Sequence, residues 1–496
     1  MSAAYKILAQ RFERLSLLRQ AGAVLAWDRA TMMPLGGADA RAEQTAALEL
    51  VCHDLLTSPD TGDLLHEADN GGLDPWEAAN LVEIRRRWAH ANALNAKLVE
   101  ALSKASSDCE IQWRRARAED GFSAFSSSLD GLLGLVRESA AAKAEALDLD
   151  PYDALLDEFE PGGRAKEIDL LFQDLAAFLP DFLAQVLDAQ AGLPDLLPLA
   201  GPFPISAQRD LARRLMTAIG FDFDHGRLDV SGHPFCGGTP DDVRITTRYE
   251  EDDFVQALMG VLHETGHALY ERGLPVPWRY QPVGQARGMG IHESQSLLLE
   301  MQVCRGREFL GFAAPLVREA FGGSGPAWSV DNLFRVYTRV KPDFIRVDAD
   351  EVTYPLHVML RYRLERALIA GDLAVADLPG AWNDGMNDLL GIRPPDDSRG
   401  CLQDIHWAMG LYGYFPTYTL GAMTAAQLFA SACRADANIK PAIAAGNFAP
   451  LITWLRTNVH ALGSFLPGPE LIARASGRPL GTEAYKAHLK KRYLPC

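Results

Sequence analysis

Apolar residues recur at intervals of three and four over most of this 496-residue chain, and this periodicity restricts the fold more than any other feature. The stretches "EQTAALELVCHDLL" and "PWEAANLVEIRRRWAHANAL" show it with charged residues on the opposite face. Turns such as "LDLDPYD" and "EPGGRAK" separate the periodic stretches, and they are too short to be linkers between domains. Residues 1–200 are therefore predicted to be almost wholly helical.

Strand character is confined to roughly residues 220–250. There "FDFD", "RLDV" and "VRITTRY" alternate apolar and polar residues or carry β-branched ones, with turn residues between them. We expect a small antiparallel sheet directly before the next helix. The predicted fold is mainly α, with residues 1–496 forming a single domain that contains one small sheet.

Composition limits the partners and the compartment. The formal net charge of −17 would repel nucleic acid and anionic membranes, so neither is expected as a partner. No apolar run approaches the length of a membrane span, and the N-terminal stretch is typical of an amphipathic helix rather than a signal peptide. Seven scattered cysteines without a CxxC motif indicate reduced thiols in a cytoplasmic protein.

The stretch "DDFVQALMGVLHETGHALYERG" is predicted to form one helix. Asp252 or Asp253 can cap its start, and Gly273 followed by Pro275 can end it. The helix carries the pattern HExxH, which is a hypothesis about chemistry until other residues support it.

Two histidines one turn apart on the same helix face can both bind one metal ion. His263 and His267 have this spacing, and Glu264 would lie beside the ion, where it can deprotonate a metal-activated water. The alternative is a core helix with two hydrogen-bonded histidines. The metal site is favoured because the helix is apolar nearly all round, and burying these polar groups without a partner costs free energy.

A hydrolytic zinc site needs a third protein ligand and keeps a fourth position for water. The continuation HExxHxxGxxH is absent, because Tyr270 stands where its glycine would be. The stretch "GMGIHESQSLLLEMQVCRGREFLG" offers a second helix, with Glu293 in its first turn as the predicted third ligand. An acidic residue is also favoured near a helix N-terminus for structural reasons. Glu300 and Glu271 are weaker candidates.

Together with further motifs, these elements resemble the carboxypeptidase Taq family of metallopeptidases. "HETGH" and "HESQS" match the HExxH and third-ligand elements, while "DVRIT", "IRVDAD" and "GCLQDIHW" match DxRxT, (I/V)RxxAD and GxxQDxHW. The resemblance implies a large helical gluzincin-type metallopeptidase with a deep groove, of which residues 1–200 would form a wall or lid. It also implies a homodimer that removes single residues from peptide C-termini, with zinc as the metal and cobalt as a possible substitute.

The resemblance assigns the metal to His263, His267 and Glu293, and the general base and acid roles to Glu264. Such an enzyme also needs a donor for the oxyanion that forms at the attacked carbonyl. His406 and Tyr418 are the predicted catalytic donors, and Tyr414 is predicted to bind substrate. The alternatives are a structural histidine and ordinary core aromatics, and a further tyrosine of the same stretch, Tyr412, is an additional candidate.

A carboxypeptidase must bind the free C-terminal carboxylate, for which arginine offers a bidentate fork. Arg346 is the first choice and Arg244 the second. The alternative for Arg346 is a structural ion pair with the nearby Asp348 or Asp350. The "VRITTRY" strand could in addition present an edge to which an extended peptide adds, or it could be purely structural.

Asp350, Asp404 and Glu300 are candidate hydrogen-bond acceptors for the metal-bound histidines. Residues 85–87 and "WRRAR" form a basic cluster that most often means a solvated face, and no function is predicted for it. Two rival functions stay open: an endo-acting zinc oligopeptidase on the same scaffold, and a non-catalytic peptide-binding protein.

Overall fold

The computed structural model describes residues 2–68 and 72–494. The helices before the strands are α1 (Ala3–Thr31), α2 (Ala38–Leu56), α3 (Thr61–Ala68), α4 (Pro75–Asn92), α5 (Ala96–Glu119), α6 (Phe122–Leu147), α7 (Pro151–Phe159), α8 (Ala165–Ala191) and α9 (Ile205–Ile219). The strands are β1 (Gly226–Val230), β2 (Phe235–Thr239) and β3 (Asp242–Thr247). Among the described residues, the prediction that residues 1–200 are almost wholly helical is confirmed, apart from short turns and an irregular segment after α8.

The helices after the strands complete the fold. They are α10 (Val255–Gly273), α11 (Gly288–Leu297), a π-helical segment (Leu298–Cys304), α12 (Arg307–Phe321), α13 (Val330–Tyr337), α14 (Tyr354–Ala370), α15 (Leu378–Leu390), α16 (Pro416–Ala435), α17 (Ile439–Ala444), α18 (Ala449–Asn458), α19 (Gly468–Ser476) and α20 (Glu483–Tyr493).

The N-terminal helices begin where their sequences provide caps. In α4, the Asp74 side chain accepts the backbone N–H of Glu77, whose own side chain accepts the N–H of Asp74, and Pro75 occupies the first helical position. Apolar residues of α1 to α4 form a separate small core around Leu8 and Ile84. The larger core runs from α5 to α20 and surrounds the elements that carry the predicted site.

The sequence was expected to contain no apolar run as long as a membrane span, but helix α8 is an exception. By length and composition it passes that test, with a mean hydropathy of 1.4 over the relevant window. Its buried residues recur three and four apart, from Ile168 to Val186, and they belong to the larger core. This one-sided burial is typical of an amphipathic core helix.

The sheet is mixed rather than antiparallel as predicted. Among the described residues its order is β1-β3-β2, with β1 parallel and β2 antiparallel to β3. "FDFD" is not a strand, because Phe221 and Phe223 pack on each other with ring centroids 4.8 Å apart and Asp222 bonds the turn that follows. Strand β2 was not predicted because its sequence, "FCGGT", has no alternating pattern.

Helix α10 follows the prediction closely. The Asp253 carboxylate accepts the backbone N–H of Val255 at 2.7 Å, and the helix ends at Gly273, two residues before Pro275. Helix α11 begins at Gly288, so Glu293 lies in its second turn rather than its first. The described cysteines are free, as expected for reduced thiols, and Cys496 lies outside the described residues.

Candidate functional site

The two histidines of α10 and the glutamate of α11 form one cluster. One ligand atom from each of His263, His267 and Glu293 can be chosen so that all lie within 4.8 Å of one another. The Nε2 atoms of His263 and His267 lie 3.9 and 3.4 Å from Oε2 of Glu293. Glu264 is buried on the same helix. The structure therefore brings together the residues predicted as the metal site.

Two glycines allow this cluster to form. An added Cβ at Gly266 of α10 would lie 2.4 Å from the carbonyl oxygen of Gln295, so α10 can approach the backbone of α11 only without a side chain there. An added Cβ at Gly421 of α16 would lie 2.8 Å from Cβ and Cγ of Glu293. Helices α10 and α16 thus enclose α11 from two sides and fix the Glu293 side chain against the histidines.

The outer nitrogen of His263 is held by a second carboxylate. Its Nδ1 lies 2.8 Å from Oε2 of Glu300, which is fixed in turn by an ion pair with Arg305. Donation of the Nδ1 proton to Glu300 leaves the Nε2 lone pair for a metal. Glu300 sits in the π-helical segment, a distortion that often occurs at functional sites. This geometry agrees with the prediction that Glu300 is a hydrogen-bond acceptor for a metal-bound histidine. It does not agree with the alternative prediction that Glu300 is itself a metal ligand.

The outer nitrogen of His267 is held by a relay of side chains. Its Nδ1 lies 2.7 Å from Nδ1 of His292, whose Nε2 lies 2.9 Å from Oε1 of Glu271. When His292 donates to Glu271 it accepts from His267, so the Nε2 lone pair of His267 faces the cluster. Glu271 was predicted only as a weaker ligand candidate, and no role was predicted for His292.

The charges around the cluster shift the pKa values of its members. Burial raises the pKa of Glu264 to about 7, with His263 and Glu293 acting in opposite directions. Burial and the neighbouring His292 lower the pKa of His267 to about 4. Burial would raise the pKa of Glu293, but the histidines outweigh it and lower that pKa to about 2. Glu293 is therefore ionised and His267 neutral at pH 7, as metal ligands must be.

The donor set fits a divalent metal ion. Two imidazole nitrogens and one carboxylate oxygen converge from a rigid pair of helices, and both imidazoles have acceptors on their outer nitrogens. Without a cation, burial acts to lower the pKa of His263, yet the surrounding carboxylates raise it to about 10. The surrounding carboxylates thus favour a positive charge at this position, which a divalent cation would supply.

Beside the cluster lies a pair of buried arginines that share one carboxylate. The Nε and Nη2 atoms of Arg346 lie 3.1 and 2.9 Å from Oδ1 of Asp404, and Nε of Arg361 lies 2.6 Å from Oδ2. The Arg346 guanidinium also lies 4.7 Å from the ring centroid of Tyr418. Arg346 therefore does not pair with the adjacent acids of its own motif. Two guanidinium groups facing one carboxylate leave an excess of positive charge.

Asp348 and Asp350, the other predicted partners of Arg346, form different contacts. Asp350 accepts backbone N–H groups of Val352 and Thr353 at the start of α14, and Asp348 accepts from Gln256 at 3.1 Å. Of the predicted acceptors for the histidines, only Glu300 contacts one of them within the described residues.

The aromatic stretch after α15 places His406 against two tyrosines. Nε2 of His406 lies 3.2 Å from the Tyr418 hydroxyl, and the Tyr414 and Tyr418 rings are 5.3 Å apart. Burial raises the pKa of Tyr418 to about 12, with Arg346 lowering it and Glu293 raising it further. Burial, with Tyr418 and Glu293 adding to it, also raises the pKa of Tyr414, so both phenols remain protonated at pH 7.

Tyr412 and Arg244 are not part of this arrangement. Tyr412 is buried beside Trp407, with ring centroids 6.3 Å apart. Nε of Arg244 lies 3.0 Å from Asp242, and its guanidinium lies 4.4 Å from the ring centroid of Trp27. The proposed peptide edge on "VRITTRY" is also wrong, because β3 is the central strand and is paired on both sides.

A further residue near the site was not predicted. Glu160, directly after α7, accepts the backbone N–H of Gly290 at 2.8 Å in the first turn of α11. Burial raises its pKa to about 7. The residue fixes the start of the helix that carries Glu293, and its sequence signal, an acidic residue in "EFEPGG", could not identify the helix it caps.

The helical fold and the two-histidine, one-glutamate cluster with an adjacent buried glutamate define a metallopeptidase. The sequence profile of the carboxypeptidase Taq (M32) metallopeptidase family matches residues 7–493. The chain belongs to this family and is a metallocarboxypeptidase, a hydrolase that acts on peptide bonds.

Individual relatives agree with this assignment over the whole chain. Thermostable carboxypeptidase 1 of Thermus thermophilus is 40% identical over 507 residues, covering 99% of this chain and 98% of that protein. Metallocarboxypeptidase 1 of Trypanosoma cruzi is 41% identical with a TM-score of 0.97, covering 99% of both chains. The M32 carboxypeptidase of Deinococcus radiodurans R1 is 34% identical with a TM-score of 0.94, again covering 99% of both.

Proposed function

We propose that this protein is a zinc-dependent carboxypeptidase that hydrolyses the C-terminal peptide bond with Glu264 as general base and acid. The cluster of His263, His267 and Glu293 beside the buried Glu264 is the observation that carries this proposal. Two imidazole nitrogens and one carboxylate oxygen are typical ligands of catalytic zinc, and cobalt accepts the same donors. When bound, the ion supplies Lewis-acid activation of the scissile carbonyl and of the attacking water.

Glu264 is suited to moving the proton of the attacking water. Its pKa near 7 matches a group that must accept and then return a proton at neutral pH. The carboxylate takes one proton from water as the oxygen adds to the carbonyl carbon. It then gives that proton to the amine nitrogen as the C–N bond breaks.

Tyr418 and His406 are proposed to stabilise the oxyanion, with Tyr414 holding the substrate. The raised pKa of Tyr418 keeps its hydroxyl as a hydrogen-bond donor, and the contact with His406 orients it. Burial lowers the pKa of His406 to about 4, so this imidazole is neutral at pH 7.

Arg346 is proposed to bind the C-terminal carboxylate of the substrate. It lies against Tyr418 and shares its only acidic partner among the described residues, Asp404, with Arg361. A substrate carboxylate would neutralise the excess positive charge of this pair. Arg244 is not proposed for this role because Asp242 and Trp27 already hold its guanidinium.

Glu264→Gln tests the chemical assignment. The variant should bind zinc with unchanged stoichiometry and lose activity by at least about 100-fold, because the amide cannot accept the proton of water. Metal analysis and hydrolysis of an N-terminally blocked dipeptide measure the two properties. Wild-type rates in this variant would contradict the mechanism.

A comparison of substrates separates the exopeptidase from an endo-acting oligopeptidase. The enzyme should cleave a free-acid peptide and leave its C-terminally amidated copy intact, since only the free acid offers a carboxylate to Arg346. In Arg346→Gln, KM for the free acid should rise by at least about tenfold. Equal cleavage of both peptides would favour the endo-acting enzyme.

Three broader properties are proposed on other grounds. Helices of residues 1–200 form a wall or lid of the substrate groove, supported by the 5.0 Å distance between the Phe159 and Tyr414 rings. The resemblance to the family supports a homodimer, which light scattering of the purified protein tests. The acidic composition and free cysteines support a cytoplasmic enzyme without nucleic acid or membrane partners.

A further inference from the structure

A cavity lies in the N-terminal half of the chain, apart from the metal cluster. It has a volume of about 490 Å³ and opens between α1, α2, α4, α6 and α7. We call it the basic cavity, because its polar lining consists largely of cations. The residues used below are Arg19, Arg86, Arg87, His90, Lys143 and Glu158. Apolar side chains such as Leu56 and Leu94 line the remainder.

Some of the cations have partners within the protein. Lys143 pairs with Glu158 at 2.5 Å, and Arg86 lies 3.4 Å from Oδ2 of Asp157. Asp157 also binds Nε2 of His90 at 2.9 Å. These contacts occupy the carboxylates of Glu158 and Asp157.

Two arginines of the lining have no such partner. Among the described residues, neither Arg19 nor Arg87 makes a hydrogen bond or an ion pair within 4.0 Å. His90 is 9% exposed; its Nδ1 makes no hydrogen bond but lies 3.8 Å from Oε1 of Glu158. Burial, reinforced by nearby cations and opposed by Glu83, lowers the pKa of Arg87 to about 9, so the group is still charged at pH 7.

We propose that the basic cavity binds a small polyanion that carries at least two carboxylate- or phosphate-type groups. Arg19 and Arg87 would supply charge-assisted hydrogen bonds to the anionic groups. The volume suits a small organic molecule, and the apolar lining can contact its carbon skeleton. Arg87 is only partly exposed, so water compensates incompletely for its missing anionic partner.

The basic cavity and the metal cluster share α7 as a wall. Glu158 faces the cavity, whereas the next two residues contact the catalytic side: Phe159 packs on Tyr414, and Glu160 caps α11. The polyanion could therefore be a free molecule that affects catalysis through α7. It could also be the acidic N-terminal part of a longer peptide substrate.

Titration calorimetry with naphthalene-1,3,6-trisulfonate tests the site on the metal-loaded enzyme. This polyanion is a weak metal chelator, so the metal cluster stays intact. One molecule should bind per chain, and Arg87→Gln should weaken binding by at least about tenfold. Arg85→Gln is the matched control, because Arg85 is an exposed neighbour on α4 that does not line the cavity. The control should change binding less than about twofold.

Arg19→Gln provides a second test of the site in case Arg87→Gln does not fold. Arg19 is exposed at the rim of the cavity, so Arg19→Gln should fold normally and also weaken binding several-fold. Absence of saturable binding, or equal weakening by Arg85→Gln and Arg87→Gln, would overturn the proposal.

Peptide pairs identify the source of the anion once binding is established. Two substrates share their C-terminal residues, and one has glutamates near its N-terminus where the other has glutamines. If the cavity binds substrate, Arg87→Gln raises KM for the glutamate peptide alone. If KM for both peptides is unchanged while trisulfonate binding is lost, the ligand is a free polyanion. Neither outcome depends on the identity of the metal or of the catalytic base.

Discussion

Replacing Gly266 with alanine should separate the two helices that carry the metal ligands. The new Cβ would lie 2.4 Å from the carbonyl oxygen of Gln295 and 2.6 Å from Cα of Ser296. Both atoms belong to the backbone of α11, so no side-chain rotation relieves the overlap. To restore ordinary contact beyond 3.4 Å, α10 and α11 must move apart by roughly 1 Å in a closely packed core.

This displacement is large for a metal site. Ligand distances tolerate deviations of about 0.2 Å, so moving Glu293 by 1 Å from the histidines should lower metal affinity by at least about 100-fold. Overpacking should also lower the free energy of unfolding by about 1–3 kcal/mol. Both effects should appear together because the same backbone contact produces them.

Gly260→Ala provides a matched control on the same helix. An added Cβ there meets no atom within 4 Å, so the higher helix propensity of alanine should raise the free energy of unfolding by up to about 1 kcal/mol. Denaturant unfolding followed by circular dichroism measures stability, and competition with a chelator measures metal affinity. If Gly266→Ala matched Gly260→Ala in both measurements, the close approach of α10 and α11 would not be what positions Glu293.

Further perturbations test the groups around the cluster. Glu300→Gln removes the charged acceptor of the His263 Nδ1 proton and should weaken metal binding by about 10–100-fold in the same chelator assay. Glu351 lies fully buried against Arg492 and His488 of α20, so Glu351→Ala should lower the free energy of unfolding by about 3–5 kcal/mol in denaturant titrations. Burial would raise the pKa of Glu351, but its contacts with His488 and Arg492 hold it well below its usual 4.5. Its stabilisation is therefore present above about pH 4.5 and lost at lower pH, and the acid dependence of unfolding should weaken in Glu351→Ala. Removal of the metal by dialysis should lower the melting temperature of the wild-type enzyme, and zinc should restore it.

The sequence predicted those parts of the site that depend on local spacing. Helix α10 was recognisable because its start and end carry short-range signals, Asp253 and Gly273. The positions of His263 and His267 follow from helix geometry alone. Glu293 could be inferred because zinc requires a third ligand, although its position against the histidines depends on how α10 and α11 pack.

Contacts between distant segments could not be predicted from local spacing. The relay from His267 through His292 to Glu271 depends on the packing of α10 against α11, which sequence spacing does not reveal. The sequence favoured Arg346 over Arg244 as the carboxylate ligand, but it could not identify the partner of either guanidinium. In the fold, Arg244 pairs locally with Asp242, whereas Arg346 reaches a carboxylate 58 residues away.

Long-range ion pairs also connect the formation of the metal site to folding of the chain. Arg346 pairs with Asp404 across 58 residues, and Arg287, beside α11, pairs with Glu83 across 204. These side chains are largely or fully buried, and a buried charge that loses its partner costs several kcal/mol. The segments around α11 therefore acquire their native arrangement only when distant helices supply the opposite charges. The free energy of metal binding should consequently stabilise the folded chain as a whole rather than the pair α10 and α11 alone.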